Sequence, residues 1–360
     1  MTPPRRVLWV PNEIGTALQS GYRRAFADLL ATGALDEVEV FSLEQRMRAG
    51  GDAAAHRADL LAVAERFRPD LVFMQHTGFT GLTGGDVDRI LRHGARLLYQ
   101  EADPYTRWLH PLPASARAVG RRADVVHTCG AGVFSDNFRR AGARRVEWMP
   151  HVFDPARIDT APKRAERELD VVVVGNRSRA RFRPLPSAAD RRRFVDLLQQ
   201  RHGTALGLYG NGWSGPAARG PIPYSQQSEV VRGAWLSANW DHFADEACYF
   251  SDRLPIALAS GSLHATTLHP GYSAVFPPET ARFLVTGSTP QDLVERIGRF
   301  LETTSVDQRL EAEEAAKEFA WRHFRQDDQL VTMLNSVGTG IDPAAASAAW
   351  DLTTPPLTAG

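Results

Sequence analysis

A histidine and two carboxylates follow two neighbouring apolar runs in the first half of the chain. His76 comes directly after one run, and Glu101 and Asp103 come after the next. Imidazole and carboxylate groups in such positions can act as general bases toward a hydroxyl or an amine. The alternatives are a hydrogen-bonded structural histidine and a turn cap before Pro104. Asp103 is the better catalytic candidate, because Glu101 can still belong to the strand.

The first loop of the chain, residues 10–15, also follows an apolar run and has the sequence Val-Pro-Asn-Glu-Ile-Gly. It lacks the G-x-G-x-x-G spacing of dinucleotide-binding loops, which argues against a dehydrogenase. We interpret Asn12 and Gly15 as residues of this loop that approach a ligand. An ordinary turn between a strand and a helix is the alternative.

Arginine is concentrated at the start of the second half of the chain. Gly175, Asn176 and Arg177 end a strongly apolar run. The next segment adds three more guanidinium groups, those of Arg179, Arg181 and Arg183. Because arginine binds phosphate oxygens bidentately, this loop predicts a diphosphate site or an acidic acceptor. A solvated basic loop is the alternative.

A glycine-rich turn follows the next apolar run of the second half. Tyr209, Gly210 and Trp213 surround a Gly-Asn-Gly sequence that allows the backbone to come close to a ligand. A tight hairpin turn between two strands is the alternative interpretation.

A serine and an arginine precede a predicted short helix further along the chain. The side chains of Ser251 and Arg253, together with the first amides of that helix, can hold a diphosphate without a metal ion. An N-cap followed by a surface arginine is the alternative. We find no convincing Asp-x-Asp motif in the sequence, so we predict no metal site.

These loops require a scaffold that brings them together. Short apolar runs alternate with longer amphipathic segments, which indicates an α/β fold of two Rossmann-like, doubly wound domains facing a central cleft. The first domain is predicted over residues 1–150 and the second over 169–305, with a linker at 151–168. A long helix at 306–336 is expected to cross back to the first domain, and residues 337–360 are expected to be disordered.

The overall composition narrows the class of protein. The chain has 360 residues, of which 43% are hydrophobic and 23% are charged, as in globular proteins. Its 42 basic and 42 acidic residues leave no formal net charge, so we do not expect a nucleic-acid partner. Two cysteines and the lack of a long apolar run predict a cytoplasmic protein without a membrane span. A homodimer stays an open alternative.

The order of motifs in the second half resembles the spore-maturation (CgeB-like) glycosyltransferases, which are similar to the large family-four group with the GT-B fold. The resemblance covers residues 170–301, and the first half matches only in layout. It rests on Gly175-Asn176 after four valines, Tyr209-Gly210-Asn211-Gly212-Trp213, Tyr224, Asn239, Ser251-Asp252-Arg253 and Ala259-Ser260-Gly261.

This resemblance implies a transferase that uses a nucleoside diphosphate sugar as co-substrate, with no cofactor and no metal. The second domain would bind the donor, and the first domain would bind a small-molecule or glycan acceptor. Ser251 and Arg253 would contact the diphosphate. The donor pocket would be lined by Gly175, Asn176, Tyr209 and Gly210. Related enzymes commonly retain the anomeric configuration; in the inverting case, Asp103 or His76 would serve as the base.

One position departs from the family pattern. Family members often carry a glutamate that holds the donor ribose, and Ile256 occupies that position here. We consider Glu279, after the His269-Pro270-Gly271 loop, as a substitute. The departure keeps open a second class of function, a GT-B-like binding or partner protein without turnover. A phosphorylase with pyridoxal phosphate is disfavoured, because Lys163 and Lys317 are the two lysines available for a Schiff base.

Overall fold

The computed structural model describes residues 3–15, 18–108, 110–159, 166–177 and 185–358. Its contacts divide the chain into two compact units. Unit 1 consists of Met1–Pro150, Asp154–Ala156 and Gln326–Gly360, and unit 2 consists of His151–Phe153 and Arg157–Arg325. The predicted linker thus contributes short segments to both units, and its residues 160–165 lie outside the described part of the chain.

Unit 1 is built on a six-stranded parallel sheet. Its strands are β1 (Arg6–Val10), β2 (Glu37–Val40), β3 (Leu71–Gln75), β4 (Arg96–Glu101), β5 (Val125–Thr128) and β6 (Val146–Trp148). They are arranged in the order β2-β1-β3-β4-β5-β6. Leu8 in β1 pairs with Glu39 on one side and with Val72 on the other. The strand order reverses at β1 and β3, where parallel sheets form ligand crevices at the carboxyl ends of their strands.

Helices cover both faces of this sheet. They are α1 (Ser20–Ala31), α2 (Leu43–Ala49), α3 (Ala53–Phe67), α4 (Gly84–Ile90), α5 (Ala114–Gly120), α6 (Val133–Arg140), α13 (Gln326–Ser336) and α14 (Pro343–Ala349). One face packs Trp9 and Phe73 against Phe26 of α1 and Leu330 of α13. The other face carries a second cluster that includes Leu8, Val72 and Phe138. Burial on both faces explains why the central strands are continuously apolar.

Unit 2 also contains a six-stranded parallel sheet. Its strands are β7 (Leu169–Val174), β8 (Leu206–Tyr209), β9 (Ala218–Gly220), β10 (Ala234–Ala238), β11 (Leu263–Thr267) and β12 (Leu284–Gly287). The order is β12-β11-β10-β7-β8-β9, which is the Rossmann arrangement with its reversal between β7 and β10. The predicted α/β class with two doubly wound sheets is confirmed.

The helices of unit 2 follow the predicted alternation. They are α7 (Ala188–His202), α8 (Gln227–Arg232), α9 (Arg253–Ala259), α10 (Tyr272–Val275), α11 (Pro290–Thr303) and α12 (Val306–His323). Thr289 caps α11, because its side chain accepts a hydrogen bond from the amide of Asp292. The hairpin alternative for the Gly-Asn-Gly turn is wrong, since β8 and β9 pair in parallel.

The long C-terminal helix is interrupted. Helix α12 ends at His323, and α13 begins at Gln326, so the chain passes from unit 2 to unit 1 between two helices. Phe319, which lies on the helix that was expected to cross back to the first domain, instead contacts Phe276 and Phe283 in unit 2. The amphipathic spacing indicated a buried face but could not indicate which unit would cover it.

The C-terminal tail is ordered over most of its length, contrary to the prediction of disorder. Helix α14 begins after Asp342, whose side chain accepts a hydrogen bond from the amide of Ala344. Beyond this helix, the carbonyl of Leu357 accepts a hydrogen bond from Arg23 at 2.7 Å. Composition suggested disorder here because alanine, threonine and proline supply few large apolar groups. Among the described residues, no helix is both long and apolar enough to cross a membrane.

Candidate active site

The site in unit 1 lies where β3 and β4 end. Parallel pairing places Gln75 beside Gln100. His76 directly follows Gln75, and Glu101 and Asp103 follow Gln100, so all three residues come to the same edge of the sheet. His76 Nδ1 lies 2.7 Å from Glu101 Oε1, and its Nε2 lies 3.5 Å from Asp103 Oδ2. The structure therefore brings together all three residues that the sequence analysis selected as catalytic candidates.

His76 is held tightly between these carboxylates. Its φ of 45° lies in the left-handed region, which residues other than glycine rarely adopt and which often marks functional positions. Burial alone would lower the pKa of His76. The hydrogen bond to Glu101 and the charges of Glu101, Asp103 and Glu44 raise that pKa to about 9. His76 is accordingly an imidazolium at neutral pH, and in that state it cannot accept a proton.

The two carboxylates differ in their availability. Glu101 is buried and accepts hydrogen bonds from His76 and from the hydroxyl of Tyr99, the latter at 2.6 Å. The side chain of Asp103 is 63% exposed. Of the three candidates, Asp103 is therefore the one whose carboxylate is open to solvent.

An exposed aromatic ring adjoins this cluster. The ring of Phe79 lies 5.7 Å from that of His76 and is 67% exposed. The guanidinium of Arg48 lies 5.6 Å from the same ring, and Arg48 also pairs with Glu44 at 2.7 Å. These contacts leave an apolar surface beside Asp103 that a ring-bearing molecule can contact.

The first loop of unit 1 is anchored by residues that the sequence analysis did not select. Glu13 and Arg23 form a fully buried ion pair at 2.6 Å, and Ser42 donates a hydrogen bond to the same carboxylate. Burial alone would raise the pKa of Glu13, but these hydrogen bonds lower it. The sequence did not indicate that Glu13 is buried, because Glu13 is a charged loop residue and its partner, Arg23, lies ten residues away on α1.

Asn12 and Gly15 flank this anchor. The carbonyl of Asn12 accepts a hydrogen bond from Gln19, and its side-chain Oδ1 is buried without a partner. Gly15 has a φ of 57°, and its carbonyl accepts a hydrogen bond from Gln45. Both residues lie in the loop after β1, at the reversal of the strand order. Whether they contact a ligand stays a prediction.

In unit 2, two glycines bring the loops after β7 and β8 into contact. The amide of Gly175 donates to the carbonyl of Tyr209 at 2.8 Å. A Cβ added to Gly210, whose φ is 134°, would collide with the carbonyl of Gly175. Trp213 donates its indole N–H to the same carbonyl at 2.6 Å. These predicted donor-site residues therefore form one compact cluster.

Asn176 and Arg177 continue the first of these loops. The side chain of Asn176 accepts a hydrogen bond from the amide of Asn211 at 2.8 Å, and the amide of Arg177 donates to the carbonyl of Asn211 at 2.9 Å. Both residues are exposed at this edge of the sheet. The arginines predicted to continue the basic loop, Arg179, Arg181 and Arg183, lie outside the described residues.

Arg253 joins the same cluster from the first position of α9. Its Nε donates to the carbonyl of Val174 at 2.6 Å, directly before Gly175. Ser251 is buried, and its hydroxyl accepts a hydrogen bond from Asn239 at 3.3 Å. The predicted juxtaposition of Arg253 with the Gly175 loop is thus present, whereas Ser251 faces the end of β10.

A buried carboxylate, Asp241, lies beneath this cluster. It accepts hydrogen bonds from Asn239 at 2.6 Å and from Thr266 at 3.2 Å, and His269 Nε2 lies 3.1 Å away. Burial by itself would raise the pKa of Asp241. The hydrogen bond and charge of His269, with the charges of Arg253 and a second arginine, Arg191, lower it.

Arg191 was not selected from the sequence, where it is one of three consecutive arginines in α7. Its side chain is buried, and its Nε and Nη2 atoms have no hydrogen-bond partner among the described residues. A Cβ on Gly175 would collide with its Nη2. Of its neighbours in the sequence, Arg192 is half-buried and Arg193 is exposed. Helical periodicity was therefore the available indication that Arg191 faces inward.

Two other expectations concern the ribose. Ile256 is buried in α9, so its side chain packs in unit 2. Glu279 is exposed on the 3-10 helix Pro278–Arg282, and it forms no hydrogen bond or ion pair with a described residue. The structure does not bring Glu279 to the Gly175 cluster by any such contact, and its role as a substitute is untested.

Within the described part of the chain, no group of three or more histidine, cysteine or acidic side chains could hold a metal ion. Asp86 and Asp88, which are two residues apart, have other roles. Asp86 caps α4, and Asp88 pairs with Arg122 at 2.5 Å.

Residues 183–335 match the family described as "Glycosyl transferase-like". No curated protein matches this sequence. The match covers most of unit 2 and includes Arg191, Trp213 and Arg253. The match covers 153 of the 360 residues, and within residues 183–335 it agrees with the prediction of a glycosyltransferase.

Solved glycosyltransferase structures share the fold. HepE (Alr3699) of Anabaena, crystallised with UDP and glucose, is 14% identical, covers 92% of this chain and 98% of its own, and has a TM-score of 0.60. Sucrose-phosphate synthase of Thermosynechococcus elongatus is 13% identical over 91% of this chain and 97% of its own, with a TM-score of 0.56. BGT of T4 phage, in complex with its substrate UDP-glucose, is 14% identical over 96% and 99%, with a TM-score of 0.52.

Proposed function

We propose that this chain, which carries a glycosyltransferase-family domain on the GT-B fold, transfers a sugar from a nucleoside diphosphate sugar to a hydroxyl or amine acceptor. The observation that carries the proposal is the cluster of Gly175, Gly210 and Arg253 at the reversal of the second sheet. It combines closely packed backbone with a guanidinium at the edge where α/β sheets bind ligands. Two of the similar structures are described as complexes with UDP-glucose or UDP, which supports a uridine donor.

In this proposal, Arg253 and the backbone of residues 175–176 bind the diphosphate of the donor. Nε of Arg253 donates to the carbonyl of Val174, so its Nη2 lies beside Gly175, while its Nη1 lies 3.6 Å from Asp252. Negative charge on the diphosphate grows as the bond to the sugar breaks. A preoriented guanidinium therefore stabilises the transition state more than the bound substrate. This cation can take the place of a metal ion, and we propose a metal-independent reaction.

The acceptor binds to unit 1 beside Asp103 and Phe79. The carboxylate of Asp103 accepts a hydrogen bond from the acceptor hydroxyl or amine, and the ring of Phe79 supplies an apolar contact. His76 and Glu101 are positioning residues, because their pairing orients Asp103 and keeps its charge available.

For the stereochemistry we propose retention, as the resemblance to the spore-maturation group implies. In that case the donor phosphate takes the acceptor proton, and Asp103 orients the acceptor. Inversion is the second candidate, and the exposure of Asp103 favours it, since that carboxylate can itself receive the proton. The anomeric configuration of the product, read by NMR, separates the two.

A binding protein without turnover is the alternative function, and the replacement of the ribose-binding glutamate by Ile256 motivates it. The test is the release of UDP from UDP-glucose by the purified protein, with water or an added polyol as acceptor. The proposal expects slow release that stops in Arg253→Ala. Tight UDP binding without release from a panel of UDP-sugars would favour the binding protein.

A further inference from the structure

Arg191 is the most deeply buried cation of the donor cluster. It lies in the first turn of α7, with 4% of the residue exposed. In the part of the chain that the structure describes, neither Nε nor Nη2 has a hydrogen-bond partner, although both atoms are inaccessible to solvent. An arginine can donate five hydrogen bonds, and buried charges are normally paired. Arg191 therefore has hydrogen-bond donors that no described residue accepts, in a buried position where unpaired donors cost free energy.

The surroundings of Arg191 do not compensate its charge. Arg253, which carries the same charge, is close enough to act with burial in lowering the pKa of Arg191 to about 9. The nearest carboxylate is Asp241, and its oxygens already accept from Asn239, Thr266 and His269. A second carboxylate, Asp252, lies 3.6 Å from Nη1 of Arg253, so Arg253 has an anionic neighbour of its own. Nε and Nη2 of Arg191 have no acceptor among the described residues.

The loop after β7 is shaped around this side chain. Nη2 of Arg191 lies against the α-carbon of Gly175, so any other residue at that position would displace it. The Nε of Arg253 approaches the same glycine from the start of α9, 3.1 Å from the position a Cβ would take. Both guanidinium groups therefore converge on the backbone at Gly175, where the Asn176 loop begins.

We propose that Arg191 is a second phosphate-binding residue, which together with Arg253 holds a dianionic phosphate or diphosphate beside Gly175. The bound anion supplies the hydrogen-bond acceptors that the molecule itself lacks. The inference deepens the proposed function in that a nucleoside diphosphate is the ligand. The inference of an anion site rests on the buried guanidinium of Arg191 and does not depend on whether the protein transfers a sugar.

This role has a consequence that a structural arginine would not have. An isolated buried charge destabilises the ligand-free protein, and its replacement by an apolar side chain of similar volume is often neutral or stabilising. A structural arginine that is removed from its partners instead destabilises the fold. Arg191→Met should therefore raise or preserve the melting temperature of the ligand-free protein while it weakens anion binding.

The experiment compares wild type, Arg191→Met and the control Arg193→Met, an exposed arginine on the same helix. Melting temperatures are measured without ligand, and calorimetry measures the binding of UDP and of inorganic diphosphate. Arg191→Met should bind both ligands about 10- to 100-fold more weakly, as expected for lost charged hydrogen bonds. Arg193→Met should match wild type. Arg191→Lys, which keeps the charge but not the fork, should fall between.

Unchanged affinity of Arg191→Met for both ligands overturns the inference, as does a lowered melting temperature with unchanged affinity in Arg191→Lys. The proposed function fails separately. If wild type binds inorganic diphosphate but neither UDP nor any other nucleoside diphosphate, the anion site stands and the donor assignment does not. If wild type binds UDP and Arg191→Met does so equally well, the donor assignment stands and this inference does not.

Discussion

In unit 1, the imidazolium of His76 lies between the carboxylates of Glu101 and Asp103 at the ends of β3 and β4. In unit 2, the guanidinium groups of Arg191 and Arg253 meet at the end of β7, near Asp241, whose carboxylate already has His269 as a partner. The two sheets use the same feature, loops at the reversal of the strand order, to place charge. Unit 1 balances its charges internally and leaves one exposed carboxylate. In unit 2, Asp252 lies 3.6 Å from Arg253, whereas Nε and Nη2 of Arg191 have no hydrogen-bond partner among the described residues.

This difference separates two kinds of site. A balanced cluster such as His76 with Glu101 and Asp103 is organised before any ligand arrives, and it can orient a neutral acceptor. An unbalanced cluster such as Arg191 with Arg253 reaches its favourable state when an anion binds. The donor site should therefore respond strongly to ligand charge, and the acceptor site should respond strongly to pH.

The largest expected effect comes from removing the exposed part of the cation pair. Arg253→Ala should lower kcat/KM for the nucleoside diphosphate sugar on the order of 10²-fold, because the lost contact strengthens in the transition state. Arg253→Lys should recover part of that loss. Steady-state kinetics measure both. Wild-type efficiency in Arg253→Ala would remove the residue from the donor site and weaken the contrast between the units.

A smaller effect is expected for the exposed carboxylate of unit 1. Asp103→Asn should lower kcat by about 10-fold if it orients the acceptor, and by 10²-fold or more if it takes the proton. Donor affinity should not change. Asp59→Asn, an exposed aspartate on α3, is the matched control. If Asp103→Asn keeps the wild-type kcat, the carboxylate is a turn residue and unit 1 has a different acceptor group.

The charge balance of unit 1 predicts a pH-dependent contribution to stability. Because the folded-state pKa of His76 is raised from 6.5 to about 9, its charged form stabilises the fold by at most roughly 3 kcal/mol. That contribution is complete below pH 6.5 and disappears as the pH rises through about 9. The melting-temperature gap between wild type and His76→Gln should follow this course. A gap independent of pH, or equal to that of the surface variant His93→Gln, would show that His76 is not charged.

The smallest effect is expected from metal removal. Since Arg253 supplies the positive charge near the diphosphate, EDTA should leave turnover within about 2-fold of the untreated enzyme. Addition of Mg²⁺ or Mn²⁺ should not increase it. Activity that EDTA abolishes and Mg²⁺ restores would contradict the assignment of the leaving-group charge to arginine.

The sequence predicted the sheets well because their strands are distinct apolar runs. Strand β7 ends at Val174, directly before the Gly175 that ends the apolar run of the sequence. Short helices such as α2 and α5 were missed, since seven residues give too little periodicity. The break between α12 and α13 was missed because amphipathic spacing continues across Phe324.

The candidate site was predictable where its residues directly follow strands. His76 and Gly175 met this condition, and Glu101 is the last residue of β4. The parallel register brings Glu101 to His76, and Arg253, which begins α9, reaches the residue before Gly175 through a hydrogen bond. Glu13 with Arg23, and Arg191, could not be found in this way. Their importance arises from burial and pairing between elements, and one sequence does not reveal which arginine of three turns inward.

The central claim is that Arg191 and Arg253 of unit 2 form a binding site for a diphosphate. Calorimetry with uridine and UDP tests this claim most directly. Wild type and Arg253→Ala are titrated with each ligand, and Asp103→Asn serves as the control in unit 1. The account predicts that UDP binds wild type and Asp103→Asn alike and binds Arg253→Ala at least 10-fold more weakly, while uridine does not distinguish the three proteins. Equal UDP affinity for wild type and Arg253→Ala would contradict it.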